Sequence, residues 1–70
     1  MAERQTENLN DPRYHTRNTL QRLNEEIEHL RAAIDKVDEP QFEATAETAI
    51  EVLTGLVKAF QVCEKKIWGI

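Results

Sequence analysis

The sequence predicts an all-α fold: an antiparallel two-helix hairpin of the helical coiled-coil type that dimerises into a four-helix bundle. Three observations predict it. Apolar residues recur at alternating spacings of three and four along two stretches of nearly equal length. Pro40 stands between the stretches, where a continuous helix would lose a hydrogen bond and press the ring on a carbonyl. The second stretch is apolar around most of its circumference, more than a single outer helix can cover.

Residues 1–10 have no apolar periodicity and are expected to form a flexible tail, followed by one hairpin domain over residues 11–70. Asp11 suits an N-cap and Pro12 the first helical position. Helix 1 is then expected over about residues 12–37. Leu20, Ile27 and Ile34 fall at the a positions of a heptad, and Leu23, Leu30 and Val37 at d. Their neighbours Thr19, Asn24, Glu26 and Arg31 are polar, so the seam is narrow. Arg22 with Glu26 and Arg31 with Asp35 are charge pairs at helical spacing, each worth about 0.3 kcal/mol.

Pro40 also drives Glu39 out of the helical region. Asp38 followed by Gln41 resembles a capping box that restarts a helix. A long kinked helix is the alternative. Helix 2 is expected over about residues 39–67, with Phe42, Ala46, Ala49, Leu53, Leu56, Phe60, Cys63 and Ile67 in its stripe. Its flanks hold Ile50, Val57, Val52, Ala59, Gly55 and Val62, so it is expected to be buried on more than one side.

A short break between helices of this length makes a hairpin. Its expected core is Leu20, Leu23, Ile27, Leu30, Ile34 and Val37 against Phe42, Ala46, Ala49, Leu53 and Ile67. Val52, Gly55, Leu56, Ala59, Phe60, Val62 and Cys63 are left for a dimer interface. Gly55 costs about 1 kcal/mol in a helix interior relative to alanine, which a close backbone approach would explain. A tolerated kink is the alternative.

Charge is unevenly spread over a chain of net charge −4. Residues 25–51 carry nine acids against Arg31 and Lys36, whereas Arg13, Arg17, Lys65 and Lys66 make the terminal end basic. Setting each hairpin's turn beside the other's termini joins opposite signs, so an antiparallel homodimer is expected. The acidic middle disfavours phosphate backbones, and no nucleic acid is expected as partner. No apolar run approaches the roughly 20 residues of a membrane span, and no membrane is expected as partner. Nothing at the start resembles a signal peptide, so the expected location is the cytoplasm.

Groups that could carry chemistry are sparse. The single cysteine, Cys63, excludes an internal disulfide and a cysteine-based zinc site, and its d position suits core packing. Glu26 and His29 have the Glu-x-x-His spacing of di-iron bundles, but Ile27 and Leu30 hold the seam, which places both on its flanks. His15 and His29 stand about 21 Å apart along one helix, too far to share a metal. Tyr14 and Trp68 lie near the open end, where they cap the core or form a partner patch. Residues 30–38, Leu-Arg-Ala-Ala-Ile-Asp-Lys-Val-Asp, resemble the opening of the chorismate mutase helical family. Nine residues carry the resemblance. Pro40 then interrupts the helix and no arginine follows residue 31, so no catalytic residue is carried over.

The function expected is that of a homodimeric interaction or scaffold module with no catalytic activity, cofactor or metal. The alternative is an adaptor or chaperone-like subunit that pairs helix 2 with an unidentified protein. A third reading rests on similarity in size to the plasmid-encoded RNA-binding hairpin dimers. It requires a basic face, for which only Arg13, Arg17 and Arg22 are placed.

Overall fold

A computed structural model describes the backbone of residues 10–68 and the side chains of residues 10–66. The expectations for the first nine residues, and for the side chains of Ile67 and Trp68, lie outside the described residues. The protein is all-helical. Helix α1 spans Pro12–Lys36 and α2 spans Pro40–Trp68, and the two pack against each other as a hairpin.

Each helix opens on a proline whose missing N–H costs nothing in the first turn. Before α1, the Asp11 carboxylate accepts a hydrogen bond of 2.9 Å from the Arg13 backbone N–H. That bond, aided by the Arg13 guanidinium 3.4 Å away, holds the Asp11 carboxyl below the usual carboxylate range. Before α2, the capping residue is Glu39, whose Oε1 accepts the Phe42 N–H at 2.6 Å. The cap expected at Asp38 is therefore moved by one residue to Glu39, and with Phe42 in the third helical position there is no reciprocal capping box. Pro40 sets the register: as first helical residue it makes its predecessor the cap.

Pro40 also decides how α1 ends. The helix stops at Lys36, and Val37 turns extended at φ −98°, ψ 114° while its N–H still bonds the Ala33 carbonyl at 2.8 Å. Val37 is thus not a core residue as the heptad expected; it is 40% exposed. A residue three places before a proline has no further helical turn to carry it onto the seam.

Between the helices, Ile27, Ala46 and Val57 are buried. Leu20, Leu23, Leu30, Ile34, Phe42, Ala49 and Leu53 are half-buried around them. The α2 side of the seam is rotated from the expected a and d positions. Its row runs Ala46, Ile50, Leu53, Val57 and Phe60, while Leu56 is left 43% exposed. The rotation exchanges Leu56 for Val57 on the side facing α1, with Ala49 and Ile50 both half-buried to either side of the row. Thr16, one heptad before Leu23, is also buried. No buried side-chain nitrogen or oxygen among the described residues lacks a hydrogen-bond partner.

The Cα extents are 45 × 30 × 13 Å. The described fold is one layer of two helices. Accordingly, no large side chain among the described residues is fully buried.

Two outcomes follow. Ile27→Val should lower stability by about 1 kcal/mol in urea denaturation, from loss of one central methylene. Asp11, with its folded pKa depressed, stabilises the start of α1 above the ordinary carboxylate pKa. That contribution should fade as pH falls through the lowered folded value. An acid titration of the Arg13 amide by NMR should show it, and Asp11→Asn should abolish it.

Candidate association surface

Helix α2 carries apolar residues on two opposite sides, and α1 covers one. At 100° per residue, the covered row of Ala46, Leu53, Val57 and Phe60 faces away from Val52, Gly55, Ala59 and Val62. These four are exposed. Val52 retains 58% of its accessible surface and Val62 52%. With Leu56 beside them, they include most of the exposed large apolar side chains of the described residues, and Val37 in the connection is the other. The seven residues expected at a dimer interface are therefore divided. Val52, Gly55, Leu56, Ala59 and Val62 form one exposed stripe. Phe60 and Cys63 are half-buried, Phe60 within the row toward α1.

Nothing lies within 4 Å of the position a Gly55 Cβ would take. No backbone of the hairpin approaches it, so close approach inside the hairpin is not what a glycine serves here. The stripe is small and smooth along this part of α2, because Ala44 and Thr48 continue it toward Pro40. Thr48 turns its hydroxyl inward, donating to the Ala44 carbonyl at 3.1 Å, and Thr45 does the same to Gln41 at 2.9 Å. Both polar atoms are thereby satisfied within α2.

The charged groups have a regular placement. Glu47, Glu51, Lys58 and Lys65 are exposed along one border of the stripe, acids toward the connection and bases toward the C-terminal end. The opposite border holds Thr45, Leu56 and Cys63. The acidic first turn and the basic last turn of α2, with Glu43 and with Lys65 and Lys66, also match the helix dipole.

On α1, Glu26 and His29 are both exposed. Among the described residues, no three His, Cys, Asp or Glu side chains gather as a metal site would require. Arg22–Glu26 and Arg31–Asp35 do not close into ion pairs, whereas Arg13 and Asp11 do, at 3.4 Å. Exposed pairs gain too little to overcome the freedom of two long side chains. The Tyr14 ring meets the His15 ring edge-on at 5.1 Å. It lines an open groove with Asp11, Arg13, Arg17, Asn18 and Gln21. A second open groove lies on α2 at Lys58, Gln61, Val62, Glu64 and Lys65, beside the stripe. Among the described residues, no helix is long and apolar enough to cross a membrane.

No family model, no curated protein and no solved structure matches the chain.

Because the space around Gly55 is open, Gly55→Ala should stabilise the isolated hairpin by about 1 kcal/mol through helix propensity. Urea denaturation at concentrations too low for association should measure the gain.

Proposed function

We propose that the protein acts by associating with a second copy of itself, as a homodimeric four-helix-bundle module that serves interaction or scaffolding and performs no catalytic step. In this bundle the two α2 helices are central and the two α1 helices lie outside, with the hairpins antiparallel. The observation that carries the reading is the exposed stripe of Val52, Gly55, Leu56, Ala59 and Val62 on the side of α2 that α1 leaves bare. Each half-exposed valine or leucine covered by a partner gains about 1 kcal/mol. Three such side chains from each copy contribute about 6 kcal/mol, which offsets an association cost of several kcal/mol.

Gly55 and Ala59 add to the support. Small residues one turn apart let two backbones come close, and the helix propensity lost at Gly55 is otherwise unexplained. The cytoplasm suits this reading, since the lone thiol of Cys63 stays reduced there.

Sedimentation equilibrium over about 1 to 500 μM should show a monomer–dimer equilibrium. Val62→Glu should weaken it at least tenfold, by about 1.4 kcal/mol or more, while circular dichroism shows the helices intact. Gly55→Leu should also disrupt the dimer by forcing the backbones apart. A chain that remains a folded monomer throughout would refute the homodimer and leave the stripe to a different protein.

A further inference from the structure

We infer that the second copy lies antiparallel across α2 with the two-fold axis beside Gly55, so that Glu51 meets the second copy's Lys58 and Glu47 meets the second copy's Lys65. This rests on the homodimer proposed above and adds the register of its interface.

The argument is one of borders. A helix laid along a stripe has two borders, and an antiparallel pair brings each border against the same border of its partner. A parallel pair brings unlike borders together. Here Glu47, Glu51, Lys58 and Lys65 fall within about 40° of one another at 3.6 residues per turn, and all four are exposed. The opposite border, with Thr45, Leu56 and Cys63, carries no charge. Parallel pairing would set the charged row against that uncharged border and desolvate charges with no counter-charge. Antiparallel pairing sets the row against its own reverse, and because its signs are segregated, acid meets base along its length.

The same row fixes the register. Residues 51 and 58 have their midpoint at 54.5, and residues 47 and 65 at 56, so the axis common to both passes beside Gly55. There the backbone is bare and nothing stands within 4 Å of a Cβ position, which lets the two helices make their closest approach. Thr48 and Val62 are likewise symmetric about residue 55 and come opposite each other. The two Cys63 thiols are then about 24 Å apart along the helices, so this dimer has no route to a disulfide between them.

Cysteine cross-linking tests the arrangement. In a Cys63→Ser parent, Gly55→Cys, Thr48→Cys and Val62→Cys are made singly, oxidised and run on non-reducing gels. Gly55→Cys should cross-link to itself. The other two should not do so alone, but should form a covalent heterodimer when mixed. Self-cross-linking of Thr48→Cys or Val62→Cys at the level of Gly55→Cys would mean parallel helices and overturn the inference. As a second arm, Glu51→Lys and Lys58→Glu should each weaken self-association about tenfold, and the double variant should recover it. Absence of recovery also overturns the register. The homodimer itself is judged separately, by sedimentation of the wild-type chain. A monomer there removes both claims, whereas a dimer with the wrong cross-linking pattern removes only this one.

Discussion

The seam between α1 and α2 holds the hairpin together, with Ile27, Ala46 and Val57 at its centre and half-buried leucines and isoleucines along its length. Two rods in contact shield a strip and nothing more. That limit is visible in the lack of any fully buried large side chain among the described residues. A domain of this size has little apolar area to set against the chain entropy lost on folding. The seam fixes which sides of each helix are hidden, and so determines what remains on the surface.

The two helices answer this limit differently. Helix α1 has a narrow apolar edge and is otherwise polar, so once α2 covers that edge it has little left to bury. Helix α2 is apolar on opposite sides, and its outer side has valines where α1 has glutamate, arginine and lysine. The asymmetry leaves the exposed apolar side of the hairpin on α2. Its hydroxyls at Thr45 and Thr48 are turned back onto its own backbone, which removes a desolvation cost from that side. Glu47, Glu51, Lys58 and Lys65 lie along a border of the stripe, while Lys66 continues the stripe's own line toward the C-terminal end.

Much of the hairpin was legible in the residues. The alternating spacing of Leu20, Leu23, Ile27, Leu30 and Ile34 specifies the inner edge of α1, because its flanks are too polar to compete. Thr16 could have been found by running the same heptad back one turn of the pattern. Val37 fits the heptad and fails, since a proline three residues later overrides periodicity. On α2 the pattern was ambiguous for a physical reason: Leu56 and Val57 are adjacent and both apolar, so spacing alone cannot choose between them. The fold buries Val57 and leaves Leu56 exposed, a choice made by packing against α1. The outer stripe was legible as an excess of apolar residues, but its true membership, without Phe60, required knowing that rotation. The sign order of Glu47, Glu51, Lys58 and Lys65 was in plain view as charges, yet it takes meaning only beside a stripe whose position the fold supplies.

The connection of residues 37–39 carries one more consequence. Helical hairpins exchange their halves between molecules when the connection straightens and the two helices fuse into a single rod. Here that route carries a conformational cost. Fusing α1 to α2 would place Pro40 in a helix interior, with its ring against the Lys36 carbonyl and a backbone bond missing, at a cost of about 3 kcal/mol. The proline that begins α2 thus also raises the energy of a straightened, single-rod form of the chain.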